Sequence, residues 1–144
     1  MKTKFYVFIM CLVLWFVIGG HSVCLATNNV KKGDGNVITF EALSQIDGSG
    51  VTKVENAYHV TGDLVIAATD TLRIIDGDEV LLADNVCVKV CGYIDFNAAT
   101  GAKVNSIAET DNPKGFLIYG TDATGVFRNI RIEKCGIRTE GCTK

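Results

Sequence analysis

The sequence predicts an all-β solenoid, a chain wound in short strands around an apolar interior, and three observations predict it. First, apolar residues recur at every eighth position: Leu64, Leu72, Val80, Val88, Phe96 and Val104. Second, the positions two further on, Ile66, Ile74, Leu82, Val90, Ala98 and Ser106, keep the same step. Residues i and i+2 of a strand face the same way, so each repeat sends a pair of side chains inward. Third, the stretches between are rich in turn formers: Asp70, Asp76-Gly77-Asp78, Asp84-Asn85, Gly92 and Thr100-Gly101. Three such strands make a lap of about 24 residues, a solenoid repeat length. In that lap Leu64 stacks on Val88, Ile66 on Val90, Leu72 on Phe96 and Val80 on Val104, and outward residues align too, with Glu79 beside Lys103. The alternative is a β-sandwich, in which the strands around Leu72 and Val80 would pair antiparallel.

The chain opens with Lys2 and Lys4, an uncharged apolar run from Phe5 to Ile18, and a helix-breaking exit at Gly19-Gly20-His21-Ser22. This is the layout of a secretory signal peptide over residues 1–26, with Cys24-Leu25-Ala26 placing small residues before a cleavage site. The apolar run falls short of the ~20 residues a spanning helix needs, which disfavours an uncleaved anchor. Val23 is too bulky to precede a lipidated cysteine, which disfavours acylation of Cys24. Export to an extracellular, periplasmic or cell-surface location follows, with membrane contact only through this segment. All 16 acidic residues lie beyond it, against 12 of the 14 Lys and Arg, a formal charge of −4. That balance excludes nucleic-acid binding through bulk charge.

Residues 27–38 read as a polar leader without periodic apolar positions. Residues 39–50 hold a short capping helix and its turn: Thr39 caps the first turn, Phe40, Leu43 and Ile46 fall at helical steps, and Asp47-Gly48-Ser49-Gly50 ends it. Residues 51–144 are the coils. The eight-residue phase is lost after Ser106, so an insertion is expected around Glu109 to Lys114, where the single Pro113 marks a loop.

The run Gly62-Asp63-Leu64-Val65-Ile66, Thr71-Leu72-Arg73-Ile74, Gly77-Asp78-Glu79-Val80 and Val88-Lys89-Val90-Cys91-Gly92-Tyr93-Ile94 resembles the opening coils of secreted bacterial right-handed parallel β-helix (pectin-lyase-like) proteins. Lys114 to Ile118 and Phe127 to Glu133 resemble the next strands of that pattern, which covers about residues 58 to 138. One departure is Cys91, which intervenes before Gly92 where the pattern is tighter. The resemblance implies a right-handed coil that continues past Lys144, making the present coils N-terminal ones.

Candidate chemistry is sparse. Asp76, Asp78, Glu79 and Asp84 form the densest carboxylate group and are the calcium candidates, since calcium takes six to eight oxygens; such acids also serve their own turns. No other cofactor is implied. The outward positions Val65, Arg73, Leu81, Lys89, Asn97 and Asn105 form no row of acids of the kind glycosidic chemistry needs. Of Tyr58, Tyr93 and Tyr119, Tyr93 alternates most clearly away from the core and is a binding candidate. Arg128 and Arg131 join it, because the end of the chain, with Lys134, Arg138 and Lys144 against Glu133 and Glu140, carries a net charge of +3. Cys87, Cys91, Cys135 and Cys142 are the thiols beyond the signal peptide. Export favours disulfides, but along a strand Cys87 and Cys91 lie too far apart to bridge one another. The function expected is a non-enzymatic, adhesive or surface-presenting β-helix module, with a polysaccharide or cell-surface polymer as partner and a tendency to self-associate at an open end. The alternatives are the N-terminal part of a polysaccharide-degrading β-helix enzyme, or a truncated remnant. No catalytic residue is assigned.

Overall fold

A computed structural model describes residues 28–30 and 33–142. The expected signal peptide, with Cys24, lies outside these residues. The elements in chain order are β1 (Asn28–Val30), β2 (Val37–Thr39), α1 (Phe40–Ser44), β3 (Val51–Val54), β4 (Ala57–Val60), β5 (Leu64–Ile66), β6 (Thr71–Ile74), β7 (Glu79–Leu82), β8 (Cys87–Val90), β9 (Tyr93–Ser106), β10 (Gly115–Tyr119), β11 (Thr124–Ile132) and β12 (Ile137–Glu140). They wind into a β-solenoid of about 4 turns. No described helix is long and apolar enough to cross a membrane.

The coil has three faces. The first stacks β1, β5, β8, β10 and β12; the second stacks β2, β6 and the leading halves of β9 and β11; the third stacks β4, β7 and the trailing halves of β9 and β11. Among the described residues every strand pairing is parallel except that of β3 with β4. The segments around Leu72 and Val80 pair with later laps rather than with each other, which rules out the sandwich.

The inward pairs of the eight-residue repeat are buried from Leu64 through Ser106, and most are fully inaccessible. Each such Leu, Ile or Val stabilises the fold by about 1.5–3 kcal/mol relative to exposure. Aromatic rings close the middle of the core: Phe96 lies 5.1 Å from Phe116 and 5.5 Å from Phe127, both edge-on, and 6.5 Å from Phe40.

The expected register holds on two faces and shifts on the third. Leu64 pairs with Val88, Ile66 with Val90 and Val80 with Val104. Leu72, however, lies under Ile94, and it is Ile74 that lies under Phe96. The corner after β8 is two residues shorter than the one below it, since Ile94 comes four residues after Val90 but Leu72 six after Ile66. The bend inside β9 restores those two residues, because Val104 comes eight after Phe96 but Val80 six after Ile74. The lap therefore still closes at 24 residues, the separation of the Glu79 and Lys103 pair. The next lap lengthens to 28, as the bond from Asn112 N–H to Asp84 reports, through the loop between Ser106 and Gly115.

Two further differences arise at the start. The polar leader contributes strands: β1 pairs with β5, and β2 with β6. Side-chain periodicity gave no sign of this because a short edge strand is recruited through its backbone groups, and buried Asp70 fastens it by accepting from the N–H groups of Gly33 (2.9 Å) and Asn36 (3.0 Å). In α1 the Thr39 hydroxyl accepts from Ala42 N–H (3.1 Å), and Phe40 and Leu43 are fully buried. Ile46, expected on the same buried face, lies past the end of α1 and is 41% exposed.

Candidate functional site

The calcium candidates are held apart by bonds to the protein itself. Asp76 accepts from Thr100 N–H one lap on (3.0 Å), and Asp84 accepts from Asn112 N–H (3.0 Å) and the Asn85 amide (2.7 Å). Asp78 accepts from Ile75 N–H (2.9 Å) inside its own turn, and Glu79 meets Lys103 Nζ at 2.8 Å. Asp63 follows the same rule, accepting from Cys87 N–H at 2.8 Å. Among the described residues no three His, Cys, Asp or Glu side chains come together as metal ligands. The acids of the turns thus work mainly as lap-to-lap clasps, each a hydrogen bond to a charged group and so stronger than a neutral one.

Asp78 differs from the others because it is nearly buried. Loss of water raises its carboxyl above the usual range, more than the Ile75 N–H and the charge of Lys53 lower it. A raised folded-state value means stability that is full below the unfolded value and lost as pH climbs through the folded one. Asp78→Asn keeps an oxygen for Ile75 N–H and removes the desolvated charge. Its thermal midpoint is expected above that of the native chain at pH 7, with the two curves converging below about pH 4; a lower midpoint at pH 7 would show that the charge itself is required.

Beside Asp78, a shallow groove of about 750 Å³ runs along the corner between the second and third faces. Glu79, Thr100, Lys103, Asn129 and Arg131 line it. Asn129 takes the left-handed backbone conformation and donates its side-chain amide to Ala98 O (2.9 Å), which locks the corner of β11 onto that of β9. Arg131 is exposed on β11 and pairs with Glu133 (2.7 Å), while Arg128 projects from the same strand into solvent.

Tyr93 is 40% exposed, as its alternation requires. Tyr119, at the end of β10, is equally exposed, and Lys89 Nζ lies 3.5 Å from its ring centroid, a cation–π contact. The cue for Tyr119 was its alternation with inward Phe116 and Ile118. Tyr93 begins the second face in one lap and Tyr119 ends the first face in the next, so both flank one corner of the solenoid. Tyr58 is buried instead, its hydroxyl donating to Glu41 (2.7 Å). The hydrogen bond from Lys53 to the same carboxylate (2.6 Å), reinforced by Tyr58, holds Glu41 below its ordinary value.

All four cysteines among the described residues are free thiols. Burial raises Cys87 and pushes Cys135 up to about 11, so neither is poised as a nucleophile at neutral pH.

Compared with family models, curated proteins and solved structures, the chain matches none.

Proposed function

We propose that the protein is an exported, non-enzymatic β-helix module that presents a rigid lateral surface to a polysaccharide or cell-surface polymer. The observation that carries this reading is the corner bearing Tyr93, Tyr119 and Lys89. Exposed rings on stacked laps give sugar rings a fixed apolar platform, and little side-chain freedom is lost on binding. The clasps between laps support the same reading: Arg73 meets Asp95 at 2.7 Å and Glu79 meets Lys103 at 2.8 Å, so the outward charges stiffen the surface.

This reading includes a right-handed coil, the hand that nearly all parallel crossover connections take, and α1 as the cap of the first lap, supported by the burial of Phe40 and Leu43. It also includes secretion through residues 1–26, supported by their basic, apolar and small-residue layout.

The second reading, the N-terminal part of a polysaccharide-degrading enzyme of pectin-lyase-like type, is favoured by the groove in which Asp78 and Glu79 lie near Lys103 and Arg131. One experiment addresses both. Co-sedimentation with a panel of insoluble plant and bacterial polysaccharides should retain the protein on at least one polymer, and Tyr93→Ala with Tyr119→Ala should release it, without shortening the polymer. New reducing or unsaturated ends would favour the enzyme; retention indifferent to both tyrosines would overturn the proposed platform.

A further inference from the structure

On the second and third faces the outward cations of the inner laps are neutralised by the protein itself. Arg73 meets Asp95 one lap on (2.7 Å), and Lys103 meets Glu79 one lap back (2.8 Å). The first face is built otherwise. Its outward row stacks Val65, Lys89, Leu117 and Arg138 in that order, so the neighbours of Lys89 on both sides are apolar. Among the described residues neither Lys89 nor Lys114, which leads into β10, meets a carboxylate. Lys89 has the Tyr119 ring, and a ring face leaves its positive charge unneutralised. Both lysines belong to inner laps, with β5 and β10 flanking Lys89 and β8 and β12 flanking the start of β10.

These cations converge. Cys87 faces outward on β8 two residues before Lys89, about 7 Å along the strand. The charges of Lys114 and Arg138 both reach its thiol and pull against the burial that raises it. The acids nearby are Asp63, whose carboxylate accepts from Cys87 N–H, and Glu140, which stands over Tyr119. The face therefore carries an unmatched positive strip on a chain whose net charge beyond residue 26 is negative. Along β10 the strip runs about 16 Å from Lys114 to Tyr119 and ends at the corner where Tyr93 stands.

We propose that this strip is an anion-binding site: Lys89 and Lys114, with Arg138 beside them, hold a carboxylate, sulfate or phosphate substituent of the polymer whose rings stack on Tyr93 and Tyr119. The site rests on that tyrosine platform and adds to it the chemistry of the ligand. An anion arriving at Lys103 must displace Glu79, whereas at Lys89 and Lys114 it displaces no carboxylate. The negative charge of the rest of the chain repels a polyanion, so the strip also selects the face that the polymer meets.

Dextran and its carboxymethyl, sulfate and phosphate derivatives share one backbone, and binding of the full chain to the four, immobilised, at low and high salt tests this. At least one charged dextran should bind about tenfold or more tightly than plain dextran, and the one that does identifies the substituent. Lys89→Gln with Lys114→Gln should abolish that advantage, as high salt should, while arginine at both positions should keep it. Lys53→Gln with Lys103→Gln, an equal loss of charge at paired lysines, should leave it in place. Tyr93→Ala with Tyr119→Ala should weaken every dextran that binds. Charged and plain dextran bound alike, an advantage that survives the Lys89 and Lys114 substitutions, or one lost equally with Lys53 and Lys103 would overturn the anion site, whatever the tyrosines do. An advantage that needs Lys89 and Lys114 but neither tyrosine would overturn the platform and support the anion site alone.

Discussion

Phe96→Ala is expected to lower the stability of the fold by about 3–5 kcal/mol, the range for removing a buried phenylalanine. Its ring is fully buried and meets three others, from Phe40 in the first lap to Phe116 and Phe127 in the last full one. A solenoid couples mainly neighbouring laps, and this ring is a point at which all of them share one contact. The cavity left by alanine opens beneath Phe127, in the least covered part of the core, so partial collapse there sets the cost toward the lower end of the range. Phe96→Leu keeps most of the volume and should cost about 1 kcal/mol. Urea unfolding of the three proteins checks this; a difference between alanine and leucine below about 1 kcal/mol would show that the aromatic cluster is not what binds the laps together.

The inward residues were legible because a period of two in a strand and eight in the coil leave little freedom: an apolar residue at Leu64 or Val88 can only face the interior. The salt bridge of Glu79 with Lys103 was legible for the same reason, since the lap from β7 to the trailing half of β9 closes at 24 residues. The second face was misjudged because its two corners change length in opposite directions, and a repeat counted over the whole lap is blind to a deletion and an insertion that cancel. The strands of the leader carry no pattern at all. Their receptor does, in Asp70, whose buried carboxylate needs two donors from outside its own turn. At the candidate site Tyr93 was legible from alternation alone. The carboxylates of Asp76 and Asp84 read as an open cluster because the backbone N–H groups they accept from lie 24 and 28 residues away in sequence.

Gly92→Ala is expected to cost about 3 kcal/mol or more, although it adds a single methyl group. Gly92 occupies the short corner Cys91-Gly92, which rests on the wider corner of the lap below. Cys91 N–H bonds to Ile66 O and Tyr93 N–H to Asp70 O, both at 3.0 Å, and these bonds clamp the two corners together on either side of the glycine. A β-carbon at Gly92 would stand 2.7 Å from Ala67 O and 3.0 Å from Ala68 O, and closer still to Asp70 O. All three are backbone oxygens, so no rotamer change makes room. Lifting the upper corner breaks the clamping bonds, and displacing Asp70 disturbs the carboxylate that holds Gly33 and Asn36 in the first lap. The control is Gly48→Ala, where the backbone is also unusual (φ +75°) but nothing lies within 4 Å, so the cost should be only the left-handed strain of about 1 kcal/mol. Chemical denaturation of both variants separates crowding from strain. If Gly92→Ala proved no more harmful than Gly48→Ala, the narrow corner would not sit on the wide one, and the pairing of Leu72 with Ile94 would have to be replaced by that of Leu72 with Phe96.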